Sequence, residues 1–395
     1  MENCLRQNLI KEINGYYEAD TTKLSEREME FPASGYYDKG QWERERAMLL
    51  RFPVMVGHSS SLKKPGDMFT RDEVGIPVIV SRQENGSLKA FQNICRHRGA
   101  RLCNTKSGAK KTFVCPYHSW TFKNDGSLLK IPREEGFPNT NKADHALVEL
   151  PVEERHGFIW VVHTPGATID VAAFLGPLDE ELASYALKDY VLERDVVLEE
   201  DMNWKFVLDG FLEVYHISYL HFESIGPYIY GKYSPFDAFA KHSRLVGIRK
   251  SFDRYRETGG DPENFLEKVA VNYQLFPNTI LVWQGDHFES WTAYPGDKPE
   301  HCRVRVQSMT TARMAEEDFT ARWDKNWKIL IDTVVAEDWG ISKTVQAGAQ
   351  HVKDDKVIFG RNELGLQHFH TEINKETAVK AKTRGPARAL EALIE

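Results

Sequence analysis

Two short runs constrain this chain more than any other feature: Cys95-Arg96-His97 and Cys115-Pro116-Tyr117-His118, with 17 residues between His97 and Cys115. Each run puts one soft thiolate and one imidazole on a tight loop. Two thiolates and two imidazoles can fill the four protein positions of a [2Fe–2S] cluster, thiolates on one iron and imidazoles on the other. Neutral imidazoles raise its potential, which suits a relay that accepts electrons. The same four donors can also hold zinc. Zinc fingers group their two cysteines before their two histidines, whereas this chain interleaves Cys-x-His with Cys-x-x-His. The other cysteines, Cys4, Cys103 and Cys302, complete a total of five, too few and too scattered for a disulfide framework. Cys103 lies between the two pairs and reads as packing.

The texture around these loops is β-like. Residues 76–82 and 88–94 flank Asn85-Gly86, a strong hairpin signal. Further short strands fit 112–115, 120–122 and 157–163, and Pro165-Gly166 closes the region. With 395 residues, about two domains of roughly 100–250 residues each are expected. The reading is a helical lead-in over 1–45 that packs on the second domain, a β-rich domain over 46–163 and that second domain over 164–395. In the second, strands are expected at 190–199, 243–252, 269–276, 279–284, 288–295 and 303–311, with helices at 203–216 and 316–349. Strands in sequence followed by a long helix indicate an α+β domain, the helix lying on an antiparallel sheet. A net charge of −7 argues against a nucleic-acid footprint. No apolar run approaches the roughly 20 residues of a membrane span, and residues 1–18 lack the apolar core of a signal peptide, so a cytoplasmic location is expected.

A second set of ligand-type residues lies in the second domain. Asp209, Glu213 and His216 fall at i, i+4, i+7, one face of the expected helix. His221 comes five residues later, about 140° around an ideal helix. Both histidines can face one metal only if the helix ends or bends at 217–220. In the long helix, Phe319, Trp323, Trp327, Leu330, Val334, Asp338, Ile341 and Val345 form a continuous core-facing stripe whose one charged member is Asp338. A buried carboxylate is costly unless paired or bound to metal. His216, His221 and Asp338 would form a facial triad with open positions, suited to Fe(II) and O₂.

Cys95-Arg96-His97-Arg98-Gly99 and Cys115 through Trp120 resemble the Rieske signature, with Ser119 where the family usually has Gly. Asn203-Trp204-Lys205, Glu213-x-x-His216-x₄-His221 and Glu337-Asp338 through Gln346-x-Gly348 resemble Rieske-type non-haem iron oxygenase α subunits, in family order and across essentially the whole chain. The resemblance implies an N-terminal all-β Rieske domain and a helix-grip-like catalytic domain. It implies a [2Fe–2S] cluster on Cys95, His97, Cys115 and His118 and a mononuclear Fe(II) on His216, His221 and Asp338. Electrons would come from NAD(P)H through a ferredoxin or flavin reductase, and the assembly would be a homotrimer. Glu213, usually Asp in the dioxygenases, would link His118 of one subunit to His216 of the next. Asp209 and Glu213 are the candidate catalytic carboxylates.

The expected reaction is hydroxylation of an apolar, aromatic small molecule. The alternative is oxidation of a quaternary ammonium or methylated compound, by demethylation or C–N cleavage. A zinc- or cluster-binding electron carrier is the rival from another class. Tyr219, Phe222, Ile225, Tyr228, Tyr230, Tyr233, Phe236, Phe239, Trp283, Phe288 and Trp291 are candidates for pocket walls or for core. Arg96, Arg98, Arg101, Lys106, Lys110 and Lys111 form either a solvated face or a docking patch for an acidic redox partner.

Overall fold

The computed structural model describes residues 1–316 and 319–378. In the first half the Asn85-Gly86 signal produces the expected hairpin, Val78–Arg82 paired with Leu88–Gln92. Gly86 sits at φ +83°, a conformation glycine adopts without a Cβ clash, and Gln83 N–H closes the loop on Ser87 O at 2.8 Å. This hairpin is the middle of a five-stranded sheet, and Val152–Arg155, Phe158–Val161 and Val54–His58 form a second sheet beside it. A small meander of Thr112–Val114, Thr121–Lys123 and Leu128–Lys130 completes the β-rich half and carries the second Cys-His loop.

The second half is built on a seven-stranded antiparallel sheet. Its spatial order is Tyr190–Glu200, Cys302–Thr311, Phe288–Pro295, Thr279–Trp283, Val269–Leu275, His242–Ile248 and Phe236–Phe239. The strand expected over 243–252 stops at Ile248, and Phe252–Glu257 turns helical. The first residues pack on this half of the molecule. Asn3–Ala19 is a helix whose Leu9 and Ile13 enter the same core as Val269, Val271 and Phe252, and Met29–Pro32 pairs with Lys356–Phe359. Among the described residues no helix is long and apolar enough to cross a membrane.

Two helical expectations fail. The helix placed over 203–216 runs only through Lys205–Asp209, so Asp209, Glu213 and His216 share no helix face. Its start is fixed by burial: Lys205 Nζ lies 2.6 Å from Glu45 Oε1, Trp204 Nε1 donates to Glu45 Oε2 at 2.8 Å, and all three side chains are buried. Its continuation is broken by Glu213, whose Oε2 accepts from the backbone N–H groups of Tyr215 and of His216, the latter at 3.1 Å. That carboxylate opens a new 3₁₀ turn, Tyr215–Ser218, instead of lying along a helix.

The long helix forms over Thr320–Ala349, but Ile331–Asp338 within it is π-helical. Residues 317 and 318 of the expected helix, and residues 379–395 of the expected domain, lie outside the described residues. A π segment bonds i→i+5 and advances more residues per turn than an α-helix, so it rotates everything downstream. The stripe of Trp323 and Leu330 continues not through Ile341 and Val345, which are 48% and 45% exposed, but through Trp339, Gln346 and Ala349.

Candidate metal centres

The two Cys-His loops are built alike. Cys95 N–H donates to Ala100 O at 2.8 Å and Gly99 N–H to Cys95 O at 3.0 Å; Cys115 N–H donates to Trp120 O at 2.8 Å and Ser119 N–H to Cys115 O at 2.9 Å. Gly99 and Ser119 occupy the same place in each loop, and both have positive φ, +76° and +58°. This is why glycine suits the position, and Ser119 adopts the left-handed conformation at some steric cost. Both thiols are buried and both imidazoles half-buried, with ring centroids 4.7 Å apart. His97 stacks on Trp120 at 4.9 Å and His118 on Tyr117 at 3.7 Å. Burial pushes the Cys95 thiol up, with Cys115 beside it adding to the rise. Two thiols and two imidazoles converging from paired loops are the donor set of a His-ligated iron–sulfur cluster, and these side chains fit one. Cys103 is packing: its backbone N–H and carbonyl are both satisfied by the Asn93 amide.

The second centre is assembled from three places. His216 lies in the 3₁₀ turn, His221 in the irregular turns after it, and Asp338 at the end of the π segment. One ligand atom from each lies within 4.8 Å of the other two. Asp338 Oδ1 is 3.0 Å from His221 Nε2 and 3.5 Å from His216 Nε2. The outer nitrogens are both held by carboxylates. Glu213 Oε1 contacts His216 Nδ1, and Glu337 Oε2 lies 2.5 Å from His221 Nδ1 while accepting from Ser224 Oγ at 2.8 Å. A proton kept on each Nδ1 leaves each Nε2 lone pair aimed inward, as metal-binding histidines require. Burial opposes charge on both rings, and the carboxylates outweigh it, so both histidines titrate above their ordinary range. Such a set attracts a cation and fits a divalent iron.

Asp209 is not part of this group. Its carboxylate takes Tyr36 Oη at 2.8 Å and His370 Nε2 at 2.9 Å, in a buried network behind the site. Glu337 is the participant that sequence reasoning missed. Its signal was adjacency to Asp338, which the helical pattern turned away from the core.

The triad opens on a cavity of about 930 Å³. Asn272, Val282 and Glu289, register partners across three strands, form part of its floor, with Arg249 and Gln284 at one end and Arg322 and Thr333 on the helix side. Of the expected wall residues, only Ile225 and Tyr228 line it. Tyr219 and Phe222 are exposed, Tyr230 and Tyr233 pack on Tyr17, and Trp291 and Phe288 are core. The walls are mixed: apolar side chains such as Phe211, Ile217, Val282 and Leu330 alternate with charged and amide groups such as Arg249, Asn272, Gln284 and Glu289.

Comparison with known proteins gives two family matches, a Rieske [2Fe–2S] domain over residues 52–143 and the catalytic domain of ring-hydroxylating α subunits over residues 187–378. The carnitine monooxygenase oxygenase subunit of Acinetobacter baumannii is 34% identical over 195 residues, 48% of this chain and 52% of that protein. The glycine betaine monooxygenase oxygenase subunit of Chromohalobacter salexigens is 34% identical over 178 residues, 45% and 39% of the two chains. The biphenyl 2,3-dioxygenase α subunit of Rhodococcus jostii is 33% identical over 197 residues, 46% and 41%. The matched stretch thus spans about half the length, or less, of these relatives. Among solved structures, a quaternary ammonium Rieske monooxygenase with L-carnitine superposes with TM-score 0.75 at 23% identity, covering 88% of this chain and 95% of that one. Naphthalene 1,2-dioxygenase with indole gives 0.68 at 21% identity, covering 90% and 96%.

Proposed function

We propose, for a chain that belongs to the family of Rieske-type non-haem iron oxygenase α subunits, the role of terminal oxygenase in a system that oxidises a small charged molecule. The observation that carries this reading is the convergence of His216, His221 and Asp338 on a large cavity that holds several charged and amide side chains. The family implies a [2Fe–2S] cluster and a mononuclear iron, which together supply electron relay and O₂ activation. Cys95, Cys115, His97 and His118 would hold the first, and His216, His221 and Asp338 the second.

Within one chain, Glu213 engages His216 Nδ1 through Oε1 and the backbone N–H groups of Tyr215 and His216 through Oε2. In the proposed head-to-tail trimer the same carboxylate reaches His118 of the neighbouring subunit, fixing both ring orientations along the electron path. The exposed Arg96, Arg98 and Lys106 suit an acidic ferredoxin or flavin reductase that draws on NAD(P)H. The charged and amide groups set among the apolar walls suit a quaternary ammonium or methylated substrate, and the similarity to carnitine and glycine betaine monooxygenase subunits supports the same class.

The test is O₂ uptake and product analysis with NAD(P)H and a reductase over two panels, N-methylated ammonium compounds and neutral arenes. Aldehyde or amine release from the first panel is expected. O₂-dependent ring oxidation confined to the second would overturn the substrate class, and no O₂-dependent product from either would overturn the oxygenase role.

A further inference from the structure

Most charged groups around the cavity have partners. Arg322 pairs with Asp286, Asp286 takes His287 Nδ1 at 2.6 Å, and His287 Nε2 lies 3.2 Å from Glu289 Oε1. Glu267 takes Lys268 at 3.2 Å. Arg249 differs. Among the described residues no carboxylate lies within ion-pair distance of its guanidinium. Instead, Nη2 donates to Gln284 O at 2.9 Å and to Gln284 Oε1 at 3.2 Å, and Nε points at Val269 O at 3.5 Å. Backbone and amide oxygens from two neighbouring strands thus fix the plane of the group, and Nη1 has no protein acceptor among the described residues.

The fold clears space in front of it. Gly247 and Ala270, register partners just inside the strand ends, are small and both line the cavity. Glu289 attracts the guanidinium only from beyond ion-pair distance. A half-buried cation without a direct carboxylate partner is costly, and a rigid fork of N–H donors matches a carboxylate in geometry as well as charge. We propose that Arg249 is the anchor for a carboxylate on the substrate, seating the anionic end of the molecule at the Gln284 end of the cavity while the group to be oxidised faces His216, His221 and Asp338. The assignment rests on the oxygenase reading above for the second half only; the anion site stands on Arg249 itself. The substrate is therefore a small organic acid, and glycine betaine is a fair probe because choline matches it except for a hydroxymethyl group in place of the carboxylate. Benzoate and benzyl alcohol make the same comparison without a cation.

Calorimetric titration of the holoenzyme with these two pairs is the decisive experiment. At least one acid should bind, about tenfold or more tighter than its alcohol, as a charge-assisted fork implies. Arg249→Gln should erase that preference, and Arg249→Lys should keep part of it by retaining charge without the fork; cluster absorbance verifies that each variant is folded. In turnover, Arg249→Gln should raise KM for the acid with a smaller change in kcat. Equal binding within each pair, no binding of either acid, or an intact preference in Arg249→Gln overturns the proposal. An acid preference that persists while no compound is oxidised would overturn the oxygenase reading and leave the anion site standing.

Discussion

The two metal centres solve the same problem in opposite ways. The Cys-His centre is made of two copies of one loop, close together in the chain, and the same pair of backbone hydrogen bonds shapes each. The His-His-Asp centre draws its ligands from segments far apart, and side chains orient it: Glu213 behind His216, Glu337 behind His221. The first depends on local conformation, the second on the packing of a helix against a sheet. Substitutions should therefore separate them cleanly.

The largest effects should fall on the proposed ligands. Cys95→Ala or His118→Ala should abolish the visible absorbance and the low-g EPR signal of a His-ligated cluster while iron at the triad persists. His221→Ala or Asp338→Ala should do the reverse, removing one iron per chain by metal analysis and all oxygenation. Loss of both metals from any of these folded variants would break the division drawn here.

Glu213→Gln should leave the cluster spectrum unchanged and lose most turnover even when the triad is saturated with iron, because it damages the link as well as the support behind His216. Mixing His118→Ala with His221→Ala subunits sharpens the point: partial recovery in a verified mixed trimer means that electrons cross between subunits, and no recovery rules that route out. Next in size is Glu337→Gln, which leaves His221 in place but frees its outer nitrogen. Iron affinity should fall about 10–100-fold in a chelator competition, with the cluster spectrum unchanged.

A third kind of histidine gives a smaller, pH-dependent effect. Burial holds His242 down to about 4, with Phe174 O opposing, and Phe276 N–H donates to its Nδ1 at 3.0 Å, so the neutral ring is the one that fits. His163 is likewise lowered to about 4 by burial. Unfolded histidine takes a proton near pH 6.5, so each contributes stability that is full above that pH and declines as pH falls toward 4. At pH 5 the loss is about 2 kcal/mol per histidine relative to pH 8. Denaturant titrations at the two pH values measure it, and His242→Gln should flatten the difference. The smallest effect expected is at Ser119, where Ser119→Gly relieves a positive φ and should gain at most about 1 kcal/mol without altering the cluster.

What could be read from the sequence follows the same division. The Cys-His loops, the Asn85-Gly86 hairpin and the strands at 269–276, 279–284 and 288–295 were legible because short-range patterning decides them. His216, His221 and Asp338 were legible as residue types, and the bend required between the two histidines exists. The route to it was not. Glu213 breaking the helix, Glu337 standing behind His221 and Asp209 turning to Tyr36 and His370 all depend on side chains meeting across the fold. The pocket was misjudged for a related reason: aromatic content between 219 and 239 says nothing about direction, and most of those rings face solvent or core.

The π-helical stretch before Asp338 carries a consequence for how such chains should be compared. Any alignment that counts helical turns from Trp323 onward falls out of step by one position after the stretch, and would match Asp338 with a neighbour's core residue. The acid sits where it does through chain length as much as through identity. Deleting one residue between Ile331 and Glu337 would leave every ligand present in the sequence yet swing the carboxylate about a quarter turn from the histidines. This segment should tolerate exchanges of side chain and reject gaps.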